Sequence, residues 1–186
     1  MTRIIAGTAG GRRIDVPRGQ VTRPTSDRVR EALFSAIESW GGSLEGLRFL
    51  DLYAGSGAVG LEAWSRGAGV VTLVEQSRPT AALIRRNATT LGFTRADVVT
   101  ASVATVLSAP PAAPYDVVFS DPPYPLDDDA VVGDLVALRD HGWVDEGSLV
   151  VVERSSRSRE VAWPDGFEAM RSKRYGETVL WYGHAT

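Results

Sequence analysis

From Arg48 onward the apolar positions alternate between two rhythms. Short, nearly continuous apolar runs occupy residues 48–53, 70–75, 97–100, 115–120 and 148–153. Between them, residues 58–66, 78–91, 103–107 and 130–139 carry apolar side chains three and four apart. The first pattern predicts buried strands and the second predicts helices. Gly92 stops the second of these helices, and Pro110, Pro111 and Pro114 make a loop. Strand and helix in regular alternation predict an α/β fold, a mostly parallel sheet with helices on both faces. Ligands of such sheets sit at the carboxyl ends of the strands. Two last β-prone runs, 167–175 and 178–182, flank Gly176 and read as a hairpin, so the final strand should run antiparallel.

The segment before Arg48 is different. Two short β-prone runs, 3–6 and 12–16, are separated by Gly7, Gly10 and Gly11, which predicts a small N-terminal β-hairpin. Pro17, Gly19 and Pro24 interrupt regular structure. Ser26 then reads as a helix N-cap, followed by Val29, Leu33, Phe34, Ile37 and Trp40 at helical spacing, with Gly41 and Gly42 ending the helix. The chain therefore divides into a hairpin and basic arm, 1–24, and an α/β domain, 25–186. Trp40 and Trp64 are expected to pack on core or rim surfaces, and His141 to lie at a helix C-terminus, where positive charge is favourable.

Composition narrows the function. The 186 residues are 44% hydrophobic and 23% charged, as in ordinary globular proteins of a length that can bury a core. There is no cysteine, and the two histidines, His141 and His184, are not at metal-ligand spacing, so no metal is expected. With no leader and no apolar run of membrane-spanning length, the cytoplasm is the expected location and a monomer the expected state. The net charge of −3 argues against a polyanionic partner until its distribution is read. Residues 1–30 hold seven arginines against two acids, a local +5, which leaves −8 on the remainder. Such asymmetry steers a polyanion to one end of the molecule. Arg12, Arg13, Arg23, Arg28 and Arg30, with Thr25, are the candidate RNA contacts.

Two loops carry the candidate chemistry. The first runs from Asp51 through Ala54, Gly55 and Gly57 to Gly60, and Glu75 closes the next strand 20 residues after Gly55. A G-x-G-x-x-G match between a strand and a helix lets backbone approach a ligand, and an acid at the second strand end binds ribose hydroxyls. Both NAD and S-adenosyl-L-methionine carry such a ribose. Asp51 discriminates, because a carboxylate there repels a pyrophosphate and suits a cationic amino-acid moiety. The second loop is Asp121-Pro122-Pro123-Tyr124, at the carboxyl end of the run 115–120. Its prolines fix φ and remove two N–H donors, so it offers acceptors. An exocyclic base amine needs acceptors on its hydrogens, since its lone pair is otherwise delocalised into the ring. Tyr124 can stack on the base. Asp121, Pro122 and Tyr124 are the candidate catalytic residues.

With these motifs in view, the chain resembles the RsmD family of 16S rRNA guanine-N2 methyltransferases. The run from Phe49 through Ala68, the upstream motif from Arg23 to Glu31, the opening Arg3-Ile4-Ile5-Ala6-Gly7 and the turn Tyr175-Gly176-Glu177-Thr178 carry the resemblance over nearly the whole chain. It implies a class I (Rossmann-like) seven-stranded methyltransferase sheet with S-adenosyl-L-methionine as methyl donor. It implies a guanine of small-subunit (16S) rRNA, within the 30S subunit or an assembly intermediate, as substrate. It carries Asp51, Ala54, Gly55, Gly57, Glu75 and Gln76 over to cofactor contacts. At the adenine, where such enzymes often have an acid or amide, this chain has Ser102 and Val103, so the serine or a backbone amide must serve.

Three other readings stay open on the residues alone. A DNA adenine-N6 or other amino-methyltransferase uses a similar proline loop, but 186 residues leave no room for a DNA-reading domain. An NAD-dependent oxidoreductase shares the glycine loop but lacks an evident hydride-transfer acid or base. A non-catalytic RNA-binding module would not need residues 121–124 intact.

Overall fold

The structure, a computed structural model, describes residues 2–19 and 25–186. The hairpin strands are β1 (Thr2–Arg3) and β2 (Arg13–Ile14), paired antiparallel. After α1 (Asp27–Gly41) the alternation is regular: β3 (Arg48–Leu52), α2 (Ala58–Ser65), β4 (Val70–Val74), α3 (Arg78–Leu91), β5 (Asp97–Val99), α4 (Val103–Leu107), β6 (Val117–Ser120), α5 (Asp128–Asp140) and β7 (Leu149–Ser155). The chain ends in β8 (Phe167–Tyr175) and β9 (Thr178–Ala185), turning at Gly176, whose φ is +61°.

Seven strands form one sheet in the order β5-β4-β3-β6-β7-β9-β8. The pairs β5/β4, β4/β3, β3/β6 and β6/β7 are parallel, and β9 is antiparallel to both its neighbours. This is the expected Rossmann-like class I sheet. The strand order reverses between β3 and β4 on one side and β6 and β7 on the other, so the switch point lies at the tips of β3 and β6.

Alternation along each strand feeds two separate cores. Phe49, Val117, Phe119 and Val151 face the cluster that contains residues of α1, α2 and α3. Leu50, Val118, Val150 and Val152 face the cluster built with α4 and α5. Because both faces are covered, the strands read as continuous apolar runs. In α1, Ser26 caps the first turn by accepting the Val29 N–H at 3.3 Å, and Leu33, Phe34 and Ile37 are buried. Trp40 is 36% exposed at the helix end, whereas Trp64 stacks on Phe93 with ring centroids 4.5 Å apart.

Several boundaries differ from the sequence expectation: the hairpin strands are shorter than the runs 3–6 and 12–16, β7 ends at Ser155 rather than at 153, and three others have a local reason. β6 starts two residues late because the Tyr115 N–H donates to Trp143 O in a loop contact, and the two rings stack. α5 starts two residues early because Asp127 caps it, accepting the Ala130 N–H at 2.8 Å, so Asp128 and Asp129 form its first turn. β9 extends to Ala185 because its whole length pairs, Leu149 of β7 lying opposite His184.

The hairpin is not a separate arm. Ile4, Ala9 and Ile14 belong to the same core as α1–α3. The Ile5 and Ala6 N–H groups donate to the buried Glu62 carboxylate of α2 at 2.8 and 3.0 Å. Among the described residues no helix is long and apolar enough to cross a membrane.

Candidate active site

At the tip of β3 the chain must turn sharply into α2. Tyr53 takes φ +59°, in the left-handed region that costs a side-chain-bearing residue energy, and its hydroxyl donates to Asp134 of α5, which holds it there. Gly55 and Gly57 follow at φ +57° and +83°. The third glycine, Gly60, has a packing role: a Cβ there would lie 2.6 Å from Leu73 Cδ2 of β4. The helix can therefore sit directly on the sheet.

Two carboxylates frame this loop. Asp51 is buried, and its Oδ2 accepts the Gly60 N–H at 2.9 Å. Burial pushes its carboxyl up to about 7, aided by repulsion from Glu75 and opposed by the Gly60 hydrogen bond. Glu75 accepts the Gly55 N–H at 3.0 Å with one oxygen and the Ser77 N–H at 2.9 Å with the other. It thus ties the glycine loop to the start of α3.

The proline loop leaves β6 beside this tip, since Leu52 and Ser120 are in register. Pro122 is buried, Pro123 O accepts the Leu126 N–H at 2.9 Å to close the turn, and Tyr124 is 65% exposed. The Asp121 carboxyl is held well above its ordinary range by burial, then by repulsion from Glu153 and Asp51, with Arg154 opposing. Glu153 projects from the adjacent strand β7. Burial pushes it up to about 7, against a hydrogen bond from the Thr25 hydroxyl at 3.0 Å. Glu153 was not among the expected site residues. The available signal was its place at the end of the run 148–153, the same sheet edge as Asp51, Glu75 and Asp121.

These groups share a cavity of about 490 Å³, within the usual range for a small-molecule site. Asp51, Ala54, Gly55, Glu75, Gln76, Ser102 and Val103 line it together with Asp121, Pro122 and Tyr124. Gly57 does not line it and packs beneath, its Cα facing Ile84. Ser102 is the N-cap of α4, accepting the Thr105 N–H at 3.1 Å and donating to Thr105 Oγ1 at 2.8 Å. Its hydroxyl is therefore engaged, and the backbone at Ser102 and Val103 is what the helix start offers a ligand. Four acids around one cavity favour a cation and disfavour a pyrophosphate.

The expected RNA contacts separate into three groups. Arg30 is a correction: it is wholly buried, bonded to Arg3 O, Thr2 Oγ1 and Asp27, with Glu62 at 4.0 Å. A fully enclosed guanidinium cannot touch phosphate. A signal was present in the sequence: Arg30 lies three, four and seven residues before Leu33, Phe34 and Ile37, on the apolar stripe of α1. Thr25 likewise turns inward to Glu153. Arg12 donates to Thr90 O and Leu91 O at the end of α3, whereas Arg13 and Arg28 are exposed. Arg23 lies outside the described residues. The end of the hairpin is also tied to the glycine loop, because Asn87 accepts the Asp15 N–H at 3.0 Å and donates to Asp15 O and Ser56 O.

Comparison with known proteins agrees with this geometry. The family model described as Conserved hypothetical protein 95 matches residues 2–184. Ribosomal RNA small subunit methyltransferase D of Escherichia coli (strain K12) is 35% identical over 177 residues, covering 95% of this chain and 86% of that protein. The protein of the same name from Haemophilus influenzae is 33% identical over 177 residues, covering 94% and 89%. The solved structure of Escherichia coli yhhF aligns with a TM-score of 0.86 at 31% identity, covering 99% of this chain and 98% of that one.

Proposed function

Because the chain belongs to the family described as Conserved hypothetical protein 95, the RsmD family of ribosomal RNA methyltransferases, we propose that it methylates the N2 amine of a guanine in small-subunit rRNA, with S-adenosyl-L-methionine as donor. The observation that carries this reading is the meeting of the two loops at the tips of β3 and β6, in one acidic cavity.

S-adenosyl-L-methionine supplies, when bound, an electrophilic methyl group on a sulfonium. The residues present fit it. Asp51 and the loop at Ala54 and Gly55 suit its cationic amino-acid end, Glu75 and Gln76 its ribose, and the backbone at Ser102 and Val103 its adenine. Among the described residues Asp51 has no cationic partner, and its burial leaves a charge that such a ligand would compensate.

The Asp121 carboxyl and the Pro122 carbonyl are the acceptors for the target amine. Held by them, the amine pyramidalises and its lone pair turns toward the donor. No base need act before transfer, so the gain comes from orientation and electrostatic fit. Asp121, whose proton affinity is raised by burial, then takes the amine proton. Tyr124, exposed at the mouth, stacks on a base that has left its helix. Arg13 and Arg28 contact phosphates, which position the RNA without reading its sequence. The working unit is a monomer acting on the 30S subunit or an assembly intermediate.

The test is transfer of radiolabelled methyl to naked small-subunit rRNA, to unmethylated 30S particles and to duplex DNA, with Asp121→Ala as control. Label in guanine of 30S particles, absent with the variant, is the expected result. Label in duplex DNA alone would replace this reading with the adenine-N6 one.

A further inference from the structure

Glu153 is a half-buried acid that the transfer chemistry above does not use. It stands beside Asp121: Ser120 and Val152 are paired in register on parallel strands, so positions 121 and 153 are neighbours where the chain leaves β6 alongside β7. Adjacent strands lie about 4.8 Å apart, which brings both carboxyls to one side of the cavity. Both residues line it, together with Tyr124.

The fold does not explain why an acid stands here. The next residue, Arg154, bonds Leu126 O and Asp128 and forms no ion pair with Glu153. The single hydrogen bond to Glu153 among the described residues is Thr25 Oγ1 to Oε2, at 3.0 Å. Oε1 takes none. Burying a carboxylate with one neutral donor and a second acid beside it costs stability. A ligand that brings its own donors would offset that cost.

The Watson–Crick edge of guanine has that form. It sets the N1–H donor directly beside the N2 amine. Adenine sets a bare N1 acceptor beside its N6 amine, and cytosine a bare N3 acceptor beside its N4 amine. Two acceptors side by side therefore match guanine and repel the other two bases.

We propose that Glu153 is the residue that selects guanine, its free oxygen accepting the N1–H while Asp121 and Pro122 hold the neighbouring N2 amine. The inference rests on the guanine-N2 reading. Thr25 acts in it as a positioning residue that fixes the Glu153 rotamer.

The experiment compares 30S particles carrying guanine or 2-aminopurine at the methylated position. 2-Aminopurine keeps the N2 amine and lacks the N1–H. The wild-type protein should favour guanine in kcat/KM by about 100-fold, because an acceptor left unpaired rejects the analogue strongly. Glu153→Leu removes the acceptor and should lose most of its rate on guanine and little on 2-aminopurine, which brings the ratio within several-fold of unity. Glu153→Met gives the same comparison should the leucine variant not fold. Thr25→Val should keep the wild-type ratio while lowering the rate, since the carboxylate remains. A purely structural role for Glu153 would depress both substrates equally, and that unchanged ratio overturns the inference while leaving the guanine-N2 reading intact. Failure of the wild-type protein to label guanine N2 at all removes both.

Discussion

The Asp51 carboxylate accepts the Gly60 N–H at 2.9 Å, so the acid at the tip of β3 is fastened to the first turn of α2. The helix N-terminus favours a negative charge there, yet burial wins and the carboxyl rises from 3.8 to about 7. Between those two values the folded state holds a proton that the unfolded state has lost. The ligand-free protein should accordingly lose stability as pH rises from about 4 to about 7, with no further loss from this group above that. Asp51→Asn keeps an acceptor for Gly60 and removes the charge. Thermal melts should show a flatter pH profile and a higher Tm near pH 8, while calorimetry shows S-adenosyl-L-methionine affinity reduced by about 100-fold. Identical pH slopes in the two proteins would place the titrating charge elsewhere.

For Asp121 the effect should fall on the chemical step. Asp121→Ala is expected to lower kcat by about 10²–10⁴-fold, the range for a lost acid–base or electrostatic contact. Cofactor affinity should stay within a few-fold. Single-turnover transfer together with calorimetry separates the two effects, and a variant that loses both equally would indicate a collapsed cavity.

Much of this site was readable as residue types at spacings. Gly55, Gly57, Gly60 and Glu75 have positions set by the chain's local path, which a linear pattern reports. Asp121 and Pro122 follow a strand whose end periodicity marks. Glu153 carried only the weak signal of its place at the end of a strand run, because its meaning comes from lying beside Asp121, and neighbours across parallel strands are far apart in sequence. Arg30 was misread for a related reason. Clustered arginines look like a solvent-facing charge run, although the spacing of Arg30 from Leu33, Phe34 and Ile37 puts it on the apolar face of α1, where the hairpin and Glu62 enclose it.

Arg30 therefore predicts a stability defect. Arg30→Ala strips the Arg3 carbonyl and Asp27 of a partner and leaves Glu62 with less compensation. Removing one member of a buried charge network costs about 3–5 kcal/mol. Urea unfolding should show that loss, with the salt dependence of RNA binding unchanged in the protein that remains folded.

Arg13 and Arg28 predict the converse. Alanine at either exposed site should leave unfolding within about 0.5 kcal/mol of wild type. Each should flatten the dependence of log affinity on log salt by about one phosphate contact. An unaltered slope would remove that arginine from the interface.

Gly60→Ala sets two effects against each other. Alanine in a helix gains about 1 kcal/mol over glycine. Here the new Cβ would lie 2.6 Å from Leu73 Cδ2 and 3.2 Å from Asp51 Oδ2, and overpacking costs about 1–3 kcal/mol. The crowding should dominate, and the variant should be less stable and bind cofactor more weakly. A gain in Tm would show that Leu73 can move aside.

The strand order β7-β9-β8 has a consequence for how the molecule forms. β7 takes as its neighbour the second strand of the following hairpin, across a connection that must first fold back on itself. Until that hairpin docks, Leu149, Val150, Val151 and Val152 form an open, apolar edge. Such an edge recruits other chains as readily as its own. Misassembly during refolding at high concentration should therefore begin at β7, and the docking of one hairpin decides between the folded protein and an aggregate.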